Sequence, residues 1–392
     1  MKKIIFSLVI VLSSTAIRAA VVKTVNSTSA GTLTTYFSPS ERAVVTDLAI
    51  TGKIDARDFK FIRDTLKALI NLDLNNVSIQ AYSGSKGTDS NTTSYAANAL
   101  PPSALCGDET HPNLKLGKVI LPTNLQKIGG MAFNYCVALS QADLPSGLLT
   151  IGYNSFYATA LESLVIPNTV TEVQAQAFTQ CASLTTVKLS SSLTDIAFQA
   201  FAFCYSLGEI DIPESVTSVS YEAFRSCINL TKATLPTNLS VLGLNAFNEC
   251  TALITLIVKN PVPLDLYGTG NMNVFGQSSS QRTLWVPKGT SGAYSSTLVW
   301  SFFQIIKEVL PTTVNDNSVQ PSAVFYNSSS DEIVINGTVQ TTALNYQIIS
   351  LNGTQVLQGT TTANSRINTA GLSSGVYVLV LDNGTKTKFV KN

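Results

Sequence analysis

Residues 227–250 read CINLTKATLPTNLSVLGLNAFNEC, with a cysteine at each end and a leucine-rich stretch, a proline and an Ala-Phe pair between. Such a stretch is a disulfide loop, a metal site, or one turn of something that recurs. Sliding it along the chain decides for recurrence. Counting from a leucine as position zero, hydrophobic residues follow at three and five, often proline at six, hydrophobic residues at nine and twelve, then Ala-Phe, and usually Cys at twenty. The template starts at Leu116, Leu139, Leu161, Leu184, Leu207, Leu230 and Leu253, in steps of 23 residues with one step of 22. Phe133, Phe156, Phe178, Phe201, Phe224 and Phe247 form one row; Ile128, Ile151, Val173, Ile196, Val219 and Leu242 form another. A period in this range signals a solenoid, whose units bury their apolar faces only by stacking.

Within each coil, positions two to six alternate and carry β-formers, which predicts a short strand with residues three and five pointing inward. Stacking makes these strands a parallel sheet. Positions nine to twelve predict a second short extended segment, and YEAFRSC at 221–227 is compact enough only for a turn of helix. Each buried phenylalanine contributes roughly 1.5–3 kcal/mol, and no single coil can bury one, so stability is collective.

The chain has 392 residues, but a solenoid grows around one elongated core, so length alone gives no domain count. Charged residues make up 12% of it, about half of the roughly 25% usual in soluble domains. Ser, Thr and Asn fill the outer positions instead. A net charge of +1 gives no electrostatic reason to expect nucleic acid or an anionic membrane surface as partner.

The start, MKKIIFSLVIVLSSTAIRAAVVKT, has the three-part form of a secretory signal over residues 1–19: Lys2 and Lys3, an apolar run from Ile4 to Leu12, and small residues before Ala19. That run is too short for a mature membrane-spanning helix, although a retained anchor is the alternative. The first cysteine is Cys106, so none stands at the cleavage point to carry a lipid.

Residues 20–112 read as opening coils and a cap. TDLAITGKIDARDFKFIRDTLKALINLDLNNVSI gives strand, helix, strand: Leu48 and Ile50 alternate inward, Asp55 caps a helix, and Phe59, Ile62, Leu66 and Leu69 share its face. Leu72 and Leu74 repeat the strand, which predicts two opening coils with the helix covering the open end. From Gln80 to Ala97 the chain is an exposed loop inside one expanded coil, ending at Ala104-Leu105-Cys106, which mimics Ala-Phe-Cys. Regular repeats occupy 113–258, and residues 259–310 form a last coil around Leu284, Val286 and Pro287 with a closing helix over SGAYSSTLVWSFFQIIKEV. A polar linker, 311–320, precedes a small all-β sandwich over 321–392, whose short alternating strands are separated by Asn336-Gly337, Asn352-Gly353 and Asn383-Gly384 turns.

The pattern Leu-x-x-Val-x-Leu-Pro followed by Ala-Phe-x-x-Cys resembles the BspA-like leucine-rich repeats of Bacteroidetes surface proteins, over about residues 45–308. Gly375-Val376-Tyr377 and the terminal Lys386, Lys388 and Lys391 resemble the C-terminal sorting domain of type IX secretion. The resemblance implies a leucine-rich repeat solenoid of short parallel strands with turns or short helices, followed by the sandwich. It further implies an exported, non-enzymatic protein of the cell surface or extracellular space. Its partners would be secretion machinery, through the tail, and a surface protein or glycan, of host or bacterial origin.

Chemistry finds little support. His111, in GDETHPN beside Asp108 and Glu109, is the one histidine, so Ser-His or Cys-His catalysis and His-based zinc sites would all need it. A solvated loop histidine is the simpler reading. Glu209 and Asp211 project from one strand, as a glycosidase pair could, but nothing suggests a cleft or a burial to hold a proton. No catalytic residue, cofactor or metal site is assigned.

Cys136, Cys181, Cys204, Cys227 and Cys250 share position twenty, so four stack in consecutive coils about 4.8 Å apart. That spacing meets the Cα criterion for a disulfide, but parallel side chains keep their Cβ atoms near the same distance, beyond the usual ~3.5–4.5 Å. Thr159 fills the row in one coil, so the row needs a small side chain rather than a thiol. We read the row as buried free cysteines.

For binding, the outward residues of the strand face come first: Lys118, Gln141, Asp143, Thr186, Lys188, Glu209, Asp211 and Lys232, with Ile120, Ser163, Val165 and Thr234 in the same rows. An ordinary solvated sheet face is the competing reading, and no aromatic cluster marks a sugar platform there. Three functions follow in order: adhesion or ligand binding, a structural or envelope-assembly component without a ligand, and, distantly, a carbohydrate-active enzyme.

Overall fold

The repeat winds into a β-solenoid of about 12 turns. Its computed structural model describes residues 19–107, 110, 111, 113, 115–268, 270, 273–276 and 282–309 of the first compact unit; in the second it describes 323–327, 332–336, 344–350, 354–361, 365–381 and 386–391. The signal sequence, save Ala19, and the linker lie outside the described residues.

One face of the solenoid carries parallel strands in chain order: Val22–Ser27, Asp47–Ile54, Asn71–Ile79, Lys118–Ile120, Gln141–Asp143, Ser163–Val165, Thr186–Lys188, Glu209–Asp211, Lys232–Leu235, Thr255–Val258, Thr283–Pro287 and Ile305–Val309. Residues at position three pair across coils, as Lys118, Val119 and Ile120 do with Gln141, Ala142 and Asp143. The predicted second extended segment is a row of two-residue strands, including Lys127–Ile128, Thr150–Ile151 and Glu172–Val173. The inward rows are buried save for the half-buried Ala142, Leu144 and Val187, and the phenylalanines stack along the axis with ring centroids 5.0–5.6 Å apart from Phe133 to Phe247. Phe275 continues the stack at 6.1 Å, although the sequence period has lapsed there, and Trp300 packs against it at 5.5 Å with its plane tilted by 59°.

The Ala-Phe segment is not the predicted turn of helix. Glu222 and Ser226 adopt φ of 56° and 59°, and the equivalent residues of the other regular coils do the same. These left-handed residues stop a helix within four residues and set alternate N–H groups pointing out of the coil. Glu222, Phe224 and Ser226 donate to the carbonyls of Leu244, Ala246 and Asn248 in the next coil at 2.8–3.1 Å, while Ala223, Arg225 and Cys227 close local turns. A left-handed non-glycine residue costs about 1–2 kcal/mol; inter-coil hydrogen bonds, each contributing roughly 0.5–1.5 kcal/mol, offset it.

The cysteine row is buried and unpaired. Each thiol instead donates to a carbonyl of the preceding coil, Cys204 to Phe178 at 3.3 Å and Cys227 to Phe201 at 3.2 Å. Thr159 departs from this: its hydroxyl donates at 3.0 Å to Phe156 O of its own coil, the carbonyl that also accepts the Cys181 thiol from the next coil. Burial pushes the Cys136, Cys181, Cys204 and Cys227 thiols up, Cys181 to about 11. The expanded coil joins this scheme as expected: Cys136 donates to Leu105 O at 3.1 Å, so Ala104-Leu105 stands where other coils have Ala-Phe.

Both ends depart from the sequence reading. The helix Ala56–Thr65 forms with Asp55 and Asp58 in a capping box, and Phe59, Ile62, Leu66 and Leu69 are buried. It sits between the second and third strands, however, and Val22–Ser27 adds a coil before it. The helix therefore does not cover the open end alone: Asp58 accepts the N–H groups of Gly31 and Leu33 at 2.6 and 2.8 Å, which anchors the first coil's return segment to it. At the other end the helix spans only Ser291–Ser296, a short 3-10 turn covers Trp300–Phe302, and Ile305–Val309 is a strand. Val299 takes φ 75°, which ends any helix, and the β-branched Ile305, Ile306 and Val309 pair with Thr283, Leu284 and Pro287.

The second unit is a sandwich of two antiparallel sheets, one of Ala323–Asn327, Glu332–Asn336 and Ser365–Asn368, the other of Gln355–Thr361, Leu344–Ser350, Gly375–Leu381 and Lys386–Lys391. Its own core contains Ile333, Ile348, Ile367, Tyr377, Leu379, Leu381 and Phe389. The glycines of the three predicted turns, 337, 353 and 384, lie outside the described residues.

Candidate functional site

The strand face carries the outward residues in register. Lys118 stands opposite Gln141, Thr186 opposite Ser163, Lys188 opposite Val165, and Glu209 opposite Lys232. Lys118, Gln141, Asp143, Thr186, Lys188, Glu209 and Asp211 are exposed. Lys232 is half-buried because its ammonium reaches Glu209 Oε2 at 3.1 Å. Thr234 departs from the expected row: it is buried, a short side chain between its partners Asp211 and Ile257.

The ladder is interrupted at two points, between Gln141–Asp143 and Ser163–Val165 and between Thr186–Lys188 and Glu209–Asp211. Each interruption follows a half-buried inward residue, Ala142 and Val187, where neighbouring coils have the buried Leu164 and Ile210. At the second, the strands leave an open cleft of about 520 Å³ lined by Thr186, Lys188, Glu209 and Asp211. Half of the predicted surface residues thus meet at one place. Lys118 instead lines a shallower hollow of about 170 Å³ with Ile120, Asp47 and Asp73.

The cleft's carboxylates do not resemble a glycosidase pair. A general acid at neutral pH keeps its proton by burial, whereas Glu209 and Asp211 are exposed and Glu209 holds an ion pair with Lys232. His111 is exposed, its Nδ1 2.9 Å from Thr110 Oγ1; Asp108 and Glu109 lie outside the described residues. Among the described residues no three His, Cys, Asp or Glu side chains group as metal ligands.

On the turn side, side chains link coil to coil. Gln176 Nε2 donates to Gln199 Oε1 at 2.7 Å, Gln199 Nε2 to Glu222 Oε2 at 2.5 Å, and Arg225 bridges Glu222 and Glu249 at 3.0 and 3.1 Å. Burial works against the Glu222 charge, but Gln199, Tyr221 and Arg225 hold its carboxyl below the usual range. On the second strand row, burial and the nearby Glu172 push Asp195 upward.

Sequence reasoning looked for aromatics only on the strand face and missed position fourteen, where Tyr153, Phe198 and Tyr221 are exposed. Phe198 and Tyr221 stack 5.6 Å apart with planes within 5°. The same count from each leucine that found the phenylalanine row would have found this one.

Residues 106–227 and 171–266 match the family described as BspA type leucine rich repeat region, in six copies. Residues 106–266 of the solenoid are BspA-type leucine-rich repeats. Residues 323–392 match the secretion system C-terminal sorting domain. Together the BspA-type repeats and the sorting domain make this an exported protein of the cell surface or extracellular space. Among the described residues no helix is long and apolar enough to cross a membrane.

Several solved structures are similar. A leucine rich cell surface protein from Faecalibacterium prausnitzii shares 22% identity over 54% of this chain and 64% of its own, with a TM-score of 0.34. A leucine-rich repeat protein from Bacteroides ovatus shares 18% over 62% and 72%, with a TM-score of 0.32. Pneumococcal vaccine antigen PcpA shares 16% over 69% and 82%, with a TM-score of 0.29. The chain thus spans under two thirds of the length of the first. No curated protein matches the chain.

Proposed function

We propose that the solenoid is a non-enzymatic adhesion module that binds a surface protein or glycan through its strand face, and that the sorting domain engages secretion machinery to bring it there. The observation that carries the first part is the cleft between Thr186–Lys188 and Glu209–Asp211. It is the larger of the two hollows described on this face, and a concavity lined by both charge signs on rigid coils suits a polar, charge-patterned partner. The shared core supports this, since stacked coils hold the lining residues without loop ordering on binding.

A binding screen of the full mature chain against matrix proteins and glycans tests the reading. A ligand of the cleft should lose about tenfold in affinity, equivalent to ~1.4 kcal/mol, on Lys188→Glu and on the double change Glu209→Lys, Asp211→Lys. Binding that both variants leave intact would move the site elsewhere. An absence of any ligand would leave the envelope-component reading in its place.

A further inference from the structure

Away from the strand face, the loop of the expanded coil stands beside the first two-residue strands and leaves a groove of about 570 Å³, inside the roughly 300–1,000 Å³ range of small-molecule sites. The loop supplies Asp89 and Asn91, and the regular coils supply Lys127, Gly130, Tyr153 and Gln174. The loop is braced: Asp89 accepts from the Asn91 N–H at 2.9 Å and the Thr92 hydroxyl at 3.1 Å, and Tyr82 and Tyr95, paired across its short hairpin, pack 5.9 Å apart.

Tyr153 is placed differently from its equivalents. Phe198 and Tyr221 cover each other's faces, whereas the position-fourteen neighbours of Tyr153 are Gly130 and Ala175. Tyr153 is 43% exposed, and its ring has no aromatic partner among the described residues. A Cβ added to Gly130 would lie 2.8 Å from Tyr153 Cδ1, so the missing side chain is what lets the ring lean across that coil into the groove. Tyr153 N–H donates to Gln174 Oε1 at 3.0 Å, and Gln174 Nε2 to Glu172 Oε1 at 2.9 Å, which fixes the amide next to the ring.

An open aromatic face beside a fixed amide, with one carboxylate, Asp89, and one ammonium group, Lys127, in the lining, matches one ligand chemistry. A pyranose offers an apolar C–H face and a rim of hydroxyls that both donate and accept, while an anion would meet Asp89 and a cation would meet Lys127. A proline-rich segment docks in grooves lined by several aromatics, and here Tyr153 is the one with an uncovered face. We propose that this groove binds a neutral saccharide, one sugar ring stacked on Tyr153 and its hydroxyls held by Gln174 and Asp89. The site is separate from the strand-face cleft and does not depend on it.

The test is titration of the full mature chain with a panel of neutral gluco-, manno-, galacto- and xylo-oligosaccharides, read by calorimetry and by saturation-transfer NMR. At least one should bind, with Tyr153→Ala weakening it tenfold or more and Tyr153→Phe keeping it within about twofold, since stacking needs the ring and not the hydroxyl. Gly130→Ala should weaken it several-fold by displacing the ring, and Lys188→Glu should leave it unchanged. Thermal unfolding of each variant checks that the fold is retained, and Gln174→Ala, expected to cost several-fold, serves if Tyr153→Ala unfolds. Failure of every sugar at millimolar concentration, binding indifferent to both Tyr153→Ala and Gln174→Ala, or displacement of the sugar by Lys188→Glu would each overturn the proposal. So would a proline-rich peptide that binds the groove while no sugar does.

Discussion

The coils starting at Leu161, Leu184 and Leu207 and the coil between Ile79 and Leu116 share one core but differ in their surfaces. In the regular coils a strict period places each outward side chain beside its equivalent, and the polar ones bond to each other, as Gln176, Gln199 and Glu222 do. Such rows are flat and self-satisfied. The expanded coil keeps the inward positions, with Leu100, Ala104 and Leu105 buried, but inserts a loop that has no equivalent in the next coil. Its polar groups turn inward on the loop itself, and a groove opens beside it. Regularity builds stability in this protein; interruption builds concave surface.

The largest effect expected is all-or-none. Because the solenoid and the sandwich have separate cores, a chain truncated after residue 310 should still fold while surface display, followed by whole-cell antibody labelling, is abolished. Retained display would show that residues 323–392 do not act as the sorting signal in this chain. Next is Phe201→Ala, in the middle of the regular stack, which should cost about 3–5 kcal/mol in a chemical denaturation series and raise hydrogen exchange in the neighbouring coils. Phe198→Ala, three residues away but exposed, should cost about 0.5–1.5 kcal/mol as the loss of one aromatic pair. Equal losses would mean that inward and outward rows are not energetically distinct.

Smaller effects probe the row of thiols and the first coil. Native protein treated with a thiol reagent should modify only the half-buried Cys106, and unfolded, unreduced protein all six cysteines. Glu41 is held at about 2 by Lys23 and by Ser38. A carboxyl lowered on folding contributes stability above its unfolded value near 4.5 that is lost as the pH falls toward 2. Glu41→Gln should therefore flatten the fall of the urea midpoint over that window. Smallest of all, Thr159→Cys should change stability by less than about 1 kcal/mol, since the position is buried and already takes a small side chain in the cysteine row. A large loss would show that the 22-residue coil is packed differently from its neighbours.

The repeat register, the inward rows, the Asp55 cap, the unpaired cysteine row and the sandwich were legible in the sequence, because each follows from a local period or a local turn signal. A hydrophobic residue at position three faces the core whatever its neighbours are, and a small residue at position twenty fits wherever coils stack. The candidate cleft was half legible: Lys188, Glu209 and Asp211 could be placed outward, but not the missing strand pairing that gathers them. Tertiary structure alone decided that Thr234 sinks between Asp211 and Ile257, that Glu222 and Ser226 turn left-handed to reach the next coil, and that Ile305–Val309 closes the sheet as a strand. It also decided that Tyr153 leans over Gly130 beside a loop some 60 residues earlier in the chain. The physical reason is the same in each case: these outcomes depend on what lies across the gap in the adjacent coil, 20 or more residues away in the chain. A one-dimensional period specifies the distance to that neighbour but not the space between.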